Sequence, residues 1–277
     1  MSLSIFTNAS SMASTNAMNK SNNLLSTAME RLGTGKRINS AADDAAGLQI
    51  ATRLQGQTNG MTVAQRNISD ATAMLQTAEG AFDEVSNIMY RMKDLATQAA
   101  NDTNSDDDRT AIGSEMTELQ NELNNIMDNT KYAGDNLFGA SGKLAGAMNF
   151  QIGSSIDEKL TVDVSGKLSN IDVSGGLSID VSTFAQSQAT ISGLEDAIAN
   201  VGSMRSALGA NINRLGHTAA NLANMKDNTD LALGNIQDAD YATEASTMSR
   251  NQLLAQTSMS MLKQSNSMSS MVMSLLG

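Results

Sequence analysis

Apolar residues recur every seven positions along most of this chain of 277 residues. The pattern is strongest over residues 43–100, where two sets of heptad positions stay in phase for six repeats. A sustained seven-residue repeat is typical of a helix that buries one stripe against other helices. It predicts one helix over residues 44–99, about 84 Å long at ~1.5 Å per residue. The two sets are Met61, Ile68, Leu75, Phe82, Met89 and Ala96, and Ala64, Ala71, Ala78, Val85, Met92 and Ala99.

Two further heptad stripes predict helices over residues 106–129 and 190–232. Asp106, Asp107 and Asp108 begin the first of these, where the positive end of a helix dipole stabilises carboxylates. The stripe of the later helix is interrupted by Arg205. Three heptad helices joined in this order predict an antiparallel bundle in which the third helix lies beside the first.

The period changes from seven to two between the second and third of these helices. Apolar and polar residues alternate over residues 160–164, 171–173 and 177–181, with glycines between the segments. Such short alternating runs predict strands or hairpins. The predicted fold is therefore mainly α, a long antiparallel helical bundle or coiled coil with a small β-hairpin region between the second and third helices, at about residues 140–185.

Both ends of the chain carry apolar stripes at helical spacing with almost no charge. Lys20 is the only charged side chain before Glu30, and Lys263 is the only one after Arg250. An isolated helix of this composition is not stable in water, so both ends are predicted to need partners. The stripe residues are Ile5, Met12, Leu24, Leu25 and Leu32 at one end and Leu254, Met261, Leu262, Met268, Val272, Leu275 and Leu276 at the other.

Composition and charge narrow the possible functions. The chain has no Pro, which favours long helices, and no Cys, which excludes disulfides, thiol nucleophiles and cysteine-based metal sites. The formal net charge is −11; residues 1–42 and 243–277 carry +4, which leaves −15 for residues 43–242. An acidic middle disfavours binding to nucleic acid. The sequence also predicts neither a membrane span nor a secretory signal.

The sequence offers little chemistry for catalysis. Gly33 to Lys36 lacks the spacing of a phosphate-binding loop, and Asp102 to Asp108 lacks the glycine of a calcium loop. His217 is the only histidine, so no second His or Cys completes a zinc site. We therefore expect no catalytic residues, no cofactor and no metal, and the protein is not predicted to be an enzyme.

Several motifs together resemble one family. Residues 29–48 read MERLGTGKRINSAADDAAGL and are followed by QIATRL. Further motifs are QTAEG at 76–80, LGA at 208–210, NRL at 213–215 and IQDADYA at 236–242. Over residues 1–140 and 190–277 the chain resembles bacterial flagellin, in a short form that lacks the variable outer domains. The alternatives are a hook-filament junction protein, which shares the terminal architecture, and a signalling coiled coil.

The resemblance implies a structural subunit that is secreted and polymerises into the extracellular flagellar filament for motility. Residues 1–42 plus 243–277 would form a terminal coiled-coil domain, the inner tube of the filament, and residues 43–242 a rod-like helical domain. We expect Leu254, Met261, Met268 and Leu275 to bury against the N-terminal stripe and against neighbouring copies. The implied partners are further copies of the chain, an export chaperone, the type III export apparatus, and hook-junction and cap proteins.

Two smaller sites also follow from the resemblance. Lys36, Arg37, Asp43 and Asp44 lie in the linker between the terminal stripe and the first long helix, where Asp44 can cap that helix and the cations can contact neighbouring subunits. The patch through which an innate immune receptor contacts flagellins matches Arg91, Leu95, Gln98 and Glu115.

Overall fold

A computed structural model describes residues 8–139, 141–168, 171 and 179–276 of the chain, with the backbone alone for 269, 270 and 272–276. Helices dominate the described residues, and two short antiparallel hairpins lie between α3 and α4. The helices are α1 (Ala9–Thr34), α2 (Ala45–Ala99), α3 (Asp106–Asn129), α4 (Ser165–Leu168), α5 (Phe184–Gln237) and α6 (Tyr241–Leu276), and the strands are β1 (Lys131–Tyr132), β2 (Asp135–Asn136), β3 (Met148–Gln151) and β4 (Lys159–Val162).

The chain forms two compact units. The terminal unit comprises residues 1–56 and 228–277, and the central unit comprises residues 57–227. Helices α2 and α5 contribute residues to both units. The predicted division into residues 1–42 plus 243–277 and residues 43–242 stays a prediction.

The helix bounds follow from capping groups as well as from the apolar stripes. Helix α3 begins and ends at the predicted residues. Its start is fixed by a reciprocal capping box between Ser105 and Asp108. Helix α5 begins at Phe184, six residues earlier than predicted. The Thr183 hydroxyl accepts the backbone N–H of Gln186 at the start of this turn. Phe184 continues the heptad position of Ile191, but Ser187 stands where the other position has Leu194, so the apolar stripe is weak there.

The central unit has its apolar core between α2, α3 and α5. Leu75, Phe82, Met116, Leu194 and Leu208 are fully buried there. Two ion pairs show that α2 and α5 are antiparallel, since Lys93 meets Glu195 while Glu79, earlier in α2, meets Arg205, later in α5. The predicted bundle, with the first and third long helices side by side, is confirmed.

The longer hairpin lies against the central helices. Strands β3 and β4 pair with Met148 opposite Val162 and Gln151 opposite Lys159. Leu160 and Val162 are buried and alternate with exposed neighbours, as the period of two predicts. Asn67 on α2 donates its side-chain N–H to the Gln151 carbonyl at 3.2 Å, which fixes this hairpin to the helix.

The other predicted strand segments are not strands where the structure describes them. Among the described residues, Ile179, Asp180 and Val181 belong to no strand, and the Thr190 hydroxyl donates to the Asp180 carbonyl instead. Val181 is buried there, so alternate burial arises without a β-ladder. Ile171 is also buried outside any strand. The remaining residues of these two segments, 172, 173, 177 and 178, lie outside the described residues.

The shorter hairpin was not predicted from the sequence. Its two turn residues, Ala133 and Gly134, have φ angles of 53° and 93°. Positive φ at both central positions is typical of a type I′ turn, which suits the twist of two antiparallel strands. The strands have only two residues each, too few to show a period, so the glycine after Ala133 was the only signal in the sequence.

Candidate assembly surfaces

Helices α1 and α6 of the terminal unit pair in antiparallel orientation. At one end of the pair, the Asn8 amide donates to the Ser265 hydroxyl at 2.8 Å. At the other end, Arg31 and Glu244 form an ion pair of 3.0 Å. The two contacts join the beginning of each helix to the C-terminal half of the other. The predicted association of the N-terminal and C-terminal helices therefore occurs within a single chain.

Small and polar side chains occupy the seam between α1 and α6. Ser21 and Asn251 are only 7% and 5% exposed, and Ala28 is fully buried. Small side chains allow the two backbones to approach closely along this seam. A few apolar residues contribute half-buried surface on either side, namely Met18, Leu25, Leu32, Ala255 and Leu262. The apolar area buried between α1 and α6 is consequently small.

The large apolar residues of the predicted stripes mostly face away from this seam. Met12 is 61% exposed and Leu24 is 45% exposed. On α6, Leu254, Met261 and Met268 are 47%, 59% and 54% exposed. Within one chain these three α6 residues do not bury against the N-terminal stripe, because the adjacent heptad positions, with Asn251, Ala255, Ser258 and Leu262, face α1 instead. Their burial between copies stays a prediction.

The exposure of four predicted stripe residues is not described. Ile5 lies outside the described residues, as do the side chains of Val272, Leu275 and Leu276. Leu25, Leu32 and Leu262 are the predicted stripe residues that do contribute to the seam.

Exposed apolar side chains concentrate in the terminal unit. Of the 17 strongly exposed large apolar side chains in the described part of the chain, 12 belong to residues 8–56 and 228–276. Isolated exposed apolar residues are ordinary, whereas contiguous ones mark interaction surfaces. On α6 five of them recur on one helical face, namely Leu253, Leu254, Met261, Met268 and Met271. The outer face of the α1–α6 pair is thus suited to bind other protein surfaces.

The linker after α1 pairs with the segment between α5 and α6. Gly35 ends α1 with a φ of 73°, a conformation that glycine adopts without strain. The Ala239 N–H donates to the Gly35 carbonyl at 3.0 Å, and the Arg37 N–H donates to the Gln237 carbonyl at 2.7 Å. These bonds make a short antiparallel bridge between Lys36 and Asp238. Sequence spacing gave no sign of this pairing, since the partners lie about 200 residues apart.

The predicted linker residues have distinct roles in this bridge. The Arg37 guanidinium donates to the Ile236 carbonyl at 2.8 Å, while Lys36 is exposed. Asp44 accepts the Gly47 N–H at 2.9 Å and so caps α2, as predicted. Asp43 instead organises the preceding turn by accepting the N–H groups of Asn39 and Ser40 at 3.1 and 2.8 Å.

Hydrogen bonding favours the ionised form of two aspartates in this region. The backbone N–H of Ser40, its hydroxyl and the N–H of Asn39 lower the pKa of Asp43 below 3.8. The Thr243 hydroxyl, with the N–H groups of Ala242 and Thr243, lowers the pKa of Asp240 in the same way at the start of α6. Both turns are therefore held most firmly when these carboxylates are charged.

The residues predicted for a receptor contact lie on the central unit. Arg91 and Glu115 form an exposed ion pair of 2.7 Å between α2 and α3, and Gln98 is exposed. Leu95 is only 3% exposed and belongs to the apolar core. The structure therefore brings Arg91 and Glu115 together at the surface but does not offer Leu95 for direct contact.

The described residues offer no clustered chemistry beyond these surfaces. Within them, no three His, Asp or Glu side chains converge in a way that could hold a metal ion. His217 is an exposed residue of α5. None of the helices in the described part of the chain combines the length and the apolar character needed to cross a bilayer.

Comparison with known proteins identifies the family. The model of the bacterial flagellin N-terminal helical region matches residues 5–143, and that of the bacterial flagellin C-terminal helical region matches residues 191–276. Flagellin A of Vibrio anguillarum is 32% identical, and polar flagellin C of Vibrio parahaemolyticus is 33% identical, each over 100% of both chains. The first alignment spans 381 positions, 104 more than the 277 residues of this chain, so the chain is a short form.

Solved structures agree with this result. A crystal structure of Bacillus cereus flagellin matches 57% of this chain and 88% of its own, with a TM-score of 0.51 and 30% identity. A putative flagellar hook-associated protein from Vibrio parahaemolyticus matches 71% of this chain and 100% of its own, with a TM-score of 0.57, but at 19% identity that likeness concerns the fold alone. The hook-junction alternative is therefore not favoured. The chain belongs to the bacterial flagellin family and is a short structural subunit of the flagellar filament.

Proposed function

We propose that the α1–α6 pair forms the inner tube of the filament and that its outer apolar face binds neighbouring copies. The observation that carries this proposal is the exposure of Leu254, Met261 and Met268 on a helix whose inner seam is small and polar. Burying this face between copies would supply about 25 cal/mol per Å² of apolar surface. Assembly, rather than folding of the single chain, would then provide most of the stability of these helices.

The polar seam also accounts for the state expected of the monomer. A pair of helices that buries Ser21 and Asn251 gains little hydrophobic free energy to offset the conformational entropy lost on ordering. We therefore expect the terminal helices to open readily in an isolated subunit and to become ordered when they join a filament. A chain exported unfolded would suit this behaviour, because its ends would acquire partners only at the growing tip.

The decisive experiment changes the outer face and leaves the seam intact. The double variant Leu254→Ser with Met261→Ser should retain the helix content of the parent monomer by circular dichroism. It should nevertheless fail to elongate filament seeds in electron micrographs, because the apolar contact between copies is removed. A matched variant, Gln252→Ser with Gln256→Ser, changes exposed polar residues of the same helix and should elongate normally. Normal growth of the first variant would overturn the proposal.

A truncation tests the same surface more coarsely. Removal of residues 255–277 should leave a soluble protein with the central unit intact and no ability to polymerise. Filaments of ordinary length from this protein would contradict an inner-tube role for α6.

The linker is proposed to couple the inner tube to the rod layer of the filament. Lys36 is exposed, the Arg37 guanidinium donates to the Ile236 carbonyl, and neither cation forms an ion pair with a carboxylate among the described residues. Both positive charges therefore remain available to acidic groups of neighbouring subunits. Asp43 and Asp44 hold the linker itself, through the turn before α2 and the cap of α2. Replacing Lys36 and Arg37 by Glu should change filament assembly or waveform. Filaments with unchanged growth and waveform would rule out this role.

Export and its partners form part of the same proposal. We expect the protein to be secreted through the type III export apparatus, with a chaperone covering the exposed apolar C-terminal helix beforehand, and to assemble between hook-junction and cap proteins. Inactivating the export apparatus in the source bacterium should remove the chain from the medium and retain it in the cells. An undiminished extracellular level would exclude this route.

Recognition by an innate immune receptor is a separate proposal. The exposed ion pair between Arg91 and Glu115, with the nearby exposed Gln98, offers a polar surface for such a contact, while Leu95 would act only by supporting the helix from the core. Purified monomer should activate a receptor reporter cell line, and Arg91→Ala should weaken the signal. A parent protein without signal would exclude the contact.

A further inference from the structure

Arg205 is the charged member of an otherwise apolar stripe on α5. The stripe consists of residues 191, 198, 205, 212 and 219, which are Ile, Ile, Arg, Ile and Ala. All five side chains are half-buried, and the neighbouring Met204 and Leu208 are fully buried. A guanidinium at such a position weakens an apolar contact, so its presence calls for a physical reason.

The guanidinium binds two carboxylates on α2. Its Nε and Nη2 atoms donate to the Glu79 carboxylate at 3.1 and 2.7 Å, and its Nη1 lies 2.9 Å from Asp83. The two acids are one helical turn apart, so a single planar fork spans both. The hydrogen bond to Glu79 raises the pKa of Arg205, which keeps the group charged.

Apolar packing alone defines the axial position of α5 against α2 poorly. Both helices repeat large apolar residues every seven positions, so a slip of seven residues places apolar groups against apolar groups again. One such slip would move α5 by about 10 Å, at ~1.5 Å per residue. The heptad pattern therefore specifies a set of registers rather than one.

The charged residues distinguish these registers. After a slip of one heptad, Arg205 would face Thr72 and Gln76 in one direction, or Ser86 and Tyr90 in the other. None of these four residues carries a carboxylate. The ion pair between Lys93 and Glu195 behaves in the same way, because Glu195 would be replaced by a neutral residue, Gln188 or Gly202. Only the observed register gives every one of these cations an acid.

We propose that Arg205, through Glu79 and Asp83, sets the axial register of α5 against α2 in the central unit. A half-buried charge pair adds little net stability over an apolar pair of similar volume, whereas an unpaired charge in a slipped register is strongly unfavourable. Arg205 is thus a positioning residue that acts against the alternative registers. This role is additional to that of a filament subunit, because one residue would align the two helices whose surfaces each copy presents.

Distance measurements in the full chain test the proposal directly. The parent has no cysteine, so spin labels on Asn87→Cys and Asn221→Cys, both exposed, report the offset of α2 and α5. The parent should give one label-to-label distance. Arg205→Met should fold with unchanged helix content and add a second distance displaced by about 10 Å. Arg214→Met, a change to an exposed arginine of the same helix, is the matched control and should keep the single parental distance.

A transplant of the acid pair makes the test directional. Thr72→Glu and Gln76→Asp, combined with Glu79→Thr and Asp83→Gln, move both acids by one heptad and leave the apolar stripes unchanged. If Arg205 sets the register, α5 follows the acids and the label distance increases by about 10 Å. Parental distances in both the Arg205→Met protein and the transplant would overturn the proposal. If the transplant fails to fold, the Arg205→Met distances decide alone.

Discussion

Arg31 of α1 and Glu244 of α6 form an ion pair of 3.0 Å at the end of the helix pair next to the linker. Their side chains are 28% and 13% exposed, and the Arg31 Nε atom is buried without a hydrogen-bond partner. A largely buried carboxylate that faces a guanidinium cannot be removed without leaving an uncompensated charge. The contact therefore anchors the two helices to each other at this end.

Glu244→Gln should weaken this anchor. We expect the free energy of opening of the α1–α6 pair to fall by about 1–2 kcal/mol, between the values for exposed and for buried ion pairs. Hydrogen exchange of the amides of α1 and α6 in the monomer would show the change as faster exchange. Glu30→Gln alters an exposed glutamate on α1 and serves as the control, with exchange rates equal to those of the parent. Equal rates in both variants would show that the ion pair does not hold the helices together.

Two glycines of α2 should respond to alanine in opposite directions. A Cβ atom at Gly47 would lie 2.5 Å from Asp44 Oδ2 and 2.7 Å from Ile38 Cδ1, whereas a Cβ at Gly56 meets nothing within 4 Å. Gly47→Ala should disturb the N-terminal cap and destabilise the terminal unit by about 1–3 kcal/mol. Gly56→Ala should stabilise it by about 0.5–1 kcal/mol, because alanine favours the helix interior. Urea unfolding followed by circular dichroism measures both, and the same sign for the two variants would contradict the steric argument.

The turn at Asp43 should depend on pH in a defined direction. Its pKa is lowered by the Ser40 N–H first, then by the Ser40 hydroxyl and the Asn39 N–H. A carboxyl whose pKa is lower in the folded state stabilises the fold above its unfolded value, near 3.8, and loses that contribution as the pH falls through the folded pKa. The turn is therefore expected to hold at neutral pH and to loosen only below about pH 4.

Carboxyl chemical shifts in nuclear magnetic resonance spectra can measure this titration. The Asp43 midpoint should lie below 3.8, and Ser40→Ala should raise it by removing the hydroxyl donor while the backbone donors remain. Asp240 provides an internal comparison, because its pKa is lowered by Thr243 and should not respond to the change at Ser40. An unchanged Asp43 midpoint in the variant would show that the hydroxyl does not contribute.

The sequence predicted the long helices well because their information is local and repeated. In a heptad series such as Met61, Ile68 and Leu75, an apolar residue marks the same helix face at every second turn. Helix α3 begins at the predicted residue because Ser105 and Asp108 cap it. The face on which α1 and α6 pair was not predictable in the same way. Apolar residues suggested the seam, yet Ser21 and Asn251 occupy it, because close backbone approach favours small side chains there.

The linker illustrates a second limit. The role of Asp44 as a cap follows from its position one residue before a helix, which is local information. The hydrogen bonds that join Gly35 to Ala239 and Arg37 to Gln237 depend on two distant segments meeting, and a single sequence does not encode that meeting in any short pattern. The same holds for Leu95, whose burial depends on the packing of the whole central unit.

Ala133 is a position at which a substitution should make the protein more stable. It occupies a turn position with a φ of 53°, where a residue with a Cβ atom is strained by roughly 1 kcal/mol and glycine is not. Ala133→Gly should therefore stabilise the β1–β2 hairpin by about 0.5–1 kcal/mol, the release of strain exceeding the extra entropy of glycine in the unfolded chain. Ala111→Gly, at an exposed position inside α3, is the matched control and should destabilise the central unit by about 0.5–1 kcal/mol. Thermal unfolding of the two full-length variants beside the parent measures the difference, and a lower midpoint for Ala133→Gly would show that the turn is not held with a positive φ at this residue.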